Sequence, residues 1–206
     1  MPRQTGLISL VVATALLAAG AGGYLYTQTR NQPDCAAGKL AGGAIGGPFT
    51  LIDGDGRTVT DKQVITKPSL IYFGYTFCPD VCPLDNARNA DATDLLAKRG
   101  FDVTPIFISI DPKRDTPEVV KQYAENFSPR MIGLTGTPAE VKAASKAYRT
   151  YYRIQDPSKE FYLIDHSTYT YLVLPKRGFV DFFKREDTAE QVADRTACLL
   201  KASGTN

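Results

Sequence analysis

An α/β fold with a mixed central sheet flanked by helices is predicted by three observations. Residues 70–75, Leu-Ile-Tyr-Phe-Gly-Tyr, are apolar in succession rather than alternately, as in a strand buried on both faces of a sheet. A second such run, 103–110, follows after a stretch of helical pattern, so strands and helices alternate as in βαβ units. The chain then closes with two more strand patterns and a last helix, which argues for an antiparallel addition to the sheet.

The elements follow in order. Residues 48–52 and 57–60 read as short strands around Asp53-Gly-Asp-Gly56, a hairpin signal. The two aspartates invite a calcium reading, but the spacing of a calcium-binding loop is absent and a plain turn is the better reading. Residues 61–66 make about a turn of helix before the strand 70–75. That strand ends in Cys78-Pro-Asp-Val-Cys82-Pro83. Proline is tolerated at a helix start, so a helix is placed at 84–98, stopped by Gly100. Thr116-Pro117 and Thr137-Pro138 each give an N-cap followed by proline at the first helical position, opening helices to about residues 127 and 148. A short strand at 131–134 lies between them. Residues 162–166 and 169–174 bracket a strand pair, 175–178 is a turn, 179–183 a strand and 188–201 the final helix.

With 206 residues the chain can bury one well-formed core and carry an appendage. A formal net charge of +2 without a basic cluster argues against nucleic acid as a partner. No charge occurs from Gly6 to Tyr26, and a bilayer core needs about 20 apolar residues as a helix. The expected organisation is a short N-terminal segment at 1–6, an uncleaved signal-anchor helix at 7–26, a tether at 27–47 and one domain at 48–203. The alternative is a cleaved signal peptide ending near Ala19-Gly-Ala21, although the apolar run is long for one. Either way the domain is exported, where its four cysteines can be oxidised.

Cys78 and Cys82 fall at the carboxyl end of a buried strand and near a helix N-terminus. That edge is where open α/β sheets bind ligands, and a helix N-terminus favours thiolate over thiol. Spaced by four, both sulfurs can face one way, to close a redox-active disulfide or to chelate one metal. The single histidine, His166, ends a predicted strand. A lone histidine is usually a surface or satisfied core residue. A strand parallel to the cysteine strand would instead bring it to the same sheet edge. Two thiolates and an imidazole form a three-ligand set suited to copper, since soft sulfur selects Cu(I) and imidazole suits both oxidation states. Zinc competes, but a structural zinc site wants four closed ligands. Asp111 and Asp165 are the nearest carboxylates and are candidates to orient the site from behind its ligands; strand-end capping and turn formation compete with that role, more strongly for Asp165, although Asp111-Pro112 also favours a turn. Pairing Cys78 with Cys82 leaves Cys35 with Cys198; the alternative is that these two stay free.

Tyr72 to Pro83, Ile110-Asp-Pro-Lys-Arg-Asp-Thr-Pro117, Gly133-Leu-Thr-Gly-Thr137 and Asp165-His-Ser167 together resemble the Sco/SenC family of copper-binding assembly factors, over about residues 47–183. The resemblance implies a thioredoxin-like fold on one transmembrane helix of the inner membrane, facing the periplasm or the mitochondrial intermembrane space. It implies copper on Cys78, Cys82 and His166, and an acidic residue near the site at Asp111. The implied partner is the copper-bearing subunit of cytochrome c oxidase, with other copper chaperones or thiol reductants as further partners.

Two functions compete. One is a copper chaperone without turnover that helps mature the dinuclear copper centre of the oxidase. The other is a thiol-disulfide oxidoreductase that reduces the cysteines of that centre. A thioredoxin-type motif has two residues between its cysteines and this chain has three, which suits chelation as well as exchange. A peroxidase of similar fold would need a peroxide pocket that nothing in the sequence specifies. His166 discriminates, because thiol exchange has no evident need of it.

Overall fold

A computed structural model of the chain describes Cys35 and residues 45–204. The chain divides into two units, 1–35 and 36–206, and the fold below is that of the second. The apolar segment 7–26 and most of the tether at 27–47 lie outside the described residues. Among the described residues no helix is long and apolar enough to cross a membrane.

Nine strands are present among the described residues. They are β1 (Thr50–Asp53), β2 (Thr58–Thr60), β3 (Ser69–Gly74), β4 (Thr104–Ser109), β5 (Ile132–Thr135), β6 (Tyr152–Ile154), β7 (Ile164–His166), β8 (Thr170–Leu174) and β9 (Gly178–Phe183). Five helices accompany them: α1 (Asp61–Val64), α2 (Val81–Lys98), α3 (Pro117–Glu125), α4 (Pro138–Ala147) and α5 (Ala189–Ala202). Seven strands form one sheet in the order β2-β1-β5-β4-β3-β8-β9. Strands β3, β4 and β5 are parallel, whereas β1 is antiparallel to β5, β8 to β3 and β9 to β8. The sheet is therefore mixed and the fold is the thioredoxin-like one expected.

Every residue of β3 is buried, which explains its uninterrupted apolar sequence: it has a strand on each edge and is covered on both faces. The threonine–proline helix starts behave as expected. Thr116 accepts from the Val119 N–H, and Thr137 and Thr188 form capping boxes with Glu140 and Gln191. The hairpin aspartates are occupied by cations of the chain itself, Asp53 by Arg57 and Asp55 by Arg57 and Lys121, so this turn is held by ion pairs.

Helix α2 begins at Val81, three residues before the expected start. Pro83 sits within the first turn, where a missing N–H costs nothing, and Cys82 is thereby helical. This helix turns a polar face inward. Asn86 donates to the Cys82 carbonyl, Asn89 bonds Thr170, and the Arg88 guanidinium donates to the Lys184 carbonyl and to Thr170. Cys35 and Cys198 are each disulfide-bonded, whereas Cys78 and Cys82 are free thiols.

The strand carrying His166 departs from expectation. It is not part of the main sheet: β7 pairs antiparallel with β6, an element the sequence reading missed, in a separate two-stranded ribbon. What returns His166 to the cysteines is β8. It runs antiparallel to β3, with Thr170 opposite Tyr72, so its first residue stands at the carboxyl end of the cysteine strand. The ribbon just before it delivers the histidine there.

Candidate metal centre

The ligand atoms of Cys78, Cys82 and His166 all lie within 4.8 Å of one another. Each comes from a different local structure. Cys78 is in the loop after β3, where its N–H bonds the Tyr75 carbonyl in a turn. Cys82 is in the first turn of α2, and its N–H donates to Cys78 Sγ at 3.4 Å. His166 ends β7, and its Nε2 is 3.4 Å from Cys82 Sγ. Its Nδ1 lies 2.9 Å from the Ser167 carbonyl. A carbonyl can only accept, so Nδ1 carries the proton and the Nε2 lone pair faces the sulfurs. The ring stands edge-on to Tyr75 and Tyr72, with centroids 5.8 and 6.3 Å away.

The two sulfurs are electrically unequal. Cys78 is pulled down to about 3, first by a hydrogen bond from Cys82 and then by the N–H groups of Asp80 and Cys82, all acting against burial. Burial pushes Cys82 far up, and the neighbouring Cys78 adds to that. The metal-free pair is thus a Cys78 thiolate held by a Cys82 thiol. Iodoacetamide should modify Cys78 in preference to Cys82, at a rate that stays nearly flat from about pH 8 to about pH 5. The sign follows from the lowered value: thiolate persists as pH falls, whereas an ordinary thiol loses about tenfold per unit below about 8.5. Site-resolved mass spectrometry after timed alkylation reads this out; a steep fall in the Cys78 rate below about pH 8 would contradict the assignment.

The glycine at the end of β3 makes room for this packing. A Cβ on Gly74 would stand 2.8 Å from Cys82 Sγ and 2.8 Å from the Tyr72 ring. The Tyr72 hydroxyl in turn lies 3.9 Å from Cys82 Sγ.

Neither sequence-nominated carboxylate hydrogen-bonds a ligand residue. Asp165 faces away, bonding Gln155 at 2.7 Å and Arg153 at 3.0 Å, and the imidazole takes the Ser167 carbonyl instead. Asp111 is buried, pairs with Arg114 and accepts from the Tyr162 hydroxyl at 2.6 Å. The carboxylate that holds the cysteine loop is one the sequence reading passed over. Asp115 is fully buried and accepts from the Thr76 N–H at 3.0 Å, the Thr76 hydroxyl at 2.6 Å and the Ser109 hydroxyl at 2.5 Å. It thereby anchors the loop two residues before Cys78. Asp85 was also missed; it is buried in α2 one turn beyond Cys82, with Arg88 at 3.4 Å. A strand-end Asp-x-x-x-Asp pattern reads as ordinary turn chemistry, so its sequence carries no signal that separates Asp111 from Asp115.

Comparison with known proteins identifies the family of this chain. The SCO1/SenC family model matches residues 37–201, spanning all the elements that carry the three residues. Protein SenC of Rhodobacter capsulatus is 60% identical over 165 residues, 80% of this chain and 75% of that protein. The SCO1 homolog 1 of Arabidopsis thaliana mitochondria is 39% identical over 201 residues, 92% of this chain and 60% of the relative. Among solved structures, Arabidopsis thaliana ScoI with copper bound superposes with a TM-score of 0.71 at 42% identity, covering 78% of this chain and 99% of that one. Family match and identity over this span together establish that the chain belongs to the SCO1/SenC family.

Proposed function

We propose that the protein is a membrane-anchored copper chaperone that holds copper on Cys78, Cys82 and His166 and helps mature the dinuclear copper centre of cytochrome c oxidase. The observation that carries this reading is the convergence of two sulfurs and an imidazole lone pair within 4.8 Å. The donor set fits the metal. Two thiolates satisfy Cu(I), the imidazole makes Cu(II) acceptable beside them, and three donors fall short of a closed structural zinc site. Copper is cargo in this reading, and the protein contributes the holding. Cys82 must lose its proton for ligation, so uptake releases a proton and weakens as pH falls. The segment 7–26 anchors the domain on the periplasmic side of the inner membrane, or its mitochondrial equivalent, and 48–203 is the copper-binding domain.

Thiol-disulfide exchange is the second reading, favoured by the unequal sulfurs. An ionised Cys78 beside a buried neutral Cys82 is the arrangement of an attacking and a resolving thiol. In cells lacking the protein, His166→Ala separates the two. A chaperone loses its cargo site, so His166→Ala should fail to restore oxidase activity, as should Cys78→Ser and Cys82→Ser. Exchange needs only the thiols, so restoration by His166→Ala to wild-type levels would establish the reductase reading in its place.

A further inference from the structure

The ribbon that brings His166 to the cysteines stands outside the seven-stranded sheet, so something other than sheet hydrogen bonds must fix its place. Its outer end is held by the Tyr162 side chain, which is 3% exposed. The Tyr162 hydroxyl donates to Asp111 at 2.6 Å, and the same carboxylate takes the Arg114 guanidinium on its other oxygen. That guanidinium lies over the Tyr162 ring, 3.7 Å from its centroid, and 4.8 Å from the ring of Phe77, the residue next to Cys78. Its Nη2 has no hydrogen-bond acceptor, so stacking holds this end of the group. A single interlock thus grips the His166 ribbon and the Cys78 loop at once. Two residues further on, the Ile164 N–H donates to the Tyr75 hydroxyl at 3.2 Å, a second but weaker tie.

We propose that Tyr162 and Arg114 are positioning residues for His166: clamped on Asp111, they hold the ribbon where the imidazole completes the three-ligand set. The inference rests on the copper reading above. It explains why Asp111 is buried beside the site without bonding a ligand, since it acts on the histidine through the ribbon. It also separates the ligands by function. Cys82 sits in the first turn of α2 and Cys78 in the loop after β3, which meets the clamp through the ring of Phe77, whereas His166 is carried by the ribbon itself.

Full-length Tyr162→Phe removes one hydroxyl and keeps the ring that stacks on Arg114. It is compared with wild type and His166→Ala by Cu(II) and Cu(I) titration against competing chelators, and metal-free by amide hydrogen exchange. Cu(II) affinity should fall by roughly 10- to 100-fold, as for other outer partners of metal ligands, while Cu(I) affinity on the two thiolates changes less than about threefold. Exchange at Ile164 and the ribbon amides should accelerate without loss of the cooperative melt. Arg114→Lys, which keeps the charge and removes the flat stacking group, should shift the same measurements the same way. If His166→Ala weakens Cu(II) and Tyr162→Phe does not, the clamp is overturned and the copper reading stands. Equal loss of Cu(I) and Cu(II) in Tyr162→Phe also overturns it, as general loosening. Undiminished Cu(II) binding in His166→Ala overturns the copper reading itself, and the clamp's role with it.

Discussion

Reduced, the full chain is expected to take up one copper per molecule; with Cys78 and Cys82 oxidised to each other it should take up none. Both sulfurs are free thiols close enough to share one ion, and ligation requires them as thiolates. A disulfide removes both at once and leaves an imidazole alone, which cannot compete with a chelator for Cu(I). Cys78→Ser or Cys82→Ser should approach the same loss, because a hydroxyl is a poor substitute for a soft sulfur. Because Cys35 and Cys198 are already disulfide-bonded, oxidation should consume only the two free thiols. Metal analysis after gel filtration, alongside a thiol count, measures it. Equal copper in reduced and oxidised protein would place the metal elsewhere.

The largest effect on stability is expected at a residue that is not one of the three site residues, in Gly133→Ala. Strand β5 runs close beneath α3, and a Cβ on Gly133 would stand 2.2 Å from the Val120 carbonyl oxygen and 3.3 Å from the Ala124 side chain. Backbone cannot rotate away as a flexible side chain can, so the helix must lift from the sheet. Overpacking of this kind costs about 3 kcal/mol or more, which lowers the melting temperature of a domain this size by about 10 °C. Val120 lies in the helix that follows the Asp111–Asp115 loop, so the same displacement reaches the anchor under Thr76. A thermal melt of the variant within about 2 °C of wild type would contradict the close approach.

Much of this was legible in the chain itself, for reasons that can be named. The strand β3 was readable because burial on both faces leaves an unbroken apolar run, and the helices α3 and α4 because Thr-Pro both caps and starts a helix. The three clustered side chains were readable as candidates because thiols four apart and a single histidine are rare enough to stand out. What stayed hidden was non-local. Tyr152–Ile154 is three residues long, with Arg153 exposed and its neighbours only partly buried, so no periodicity marked β6, and without β6 the histidine strand was paired with residues 169–174 instead. The inward polar face of α2 broke the apolar stripe that betrays a packed helix, because its buried Asn86, Asn89 and Thr93 are satisfied by partners distant in sequence or by the local backbone. Asp115 looked like its neighbour Asp111, and only the fold brings Thr76 and Ser109 to it.

The central claim is that Cys78, Cys82 and His166 act as one site. The optical spectrum and affinity of Cu(II) in wild type and His166→Ala test it most directly. Two thiolates and an imidazole predict intense sulfur-to-copper charge-transfer bands at one copper per chain in wild type. In His166→Ala those bands should shift, and affinity should fall by more than the roughly 10- to 100-fold that loss of an outer partner costs. Cu(I) binding by the two sulfurs should largely survive. Identical Cu(II) spectra and affinities in the two proteins would contradict the three-ligand site.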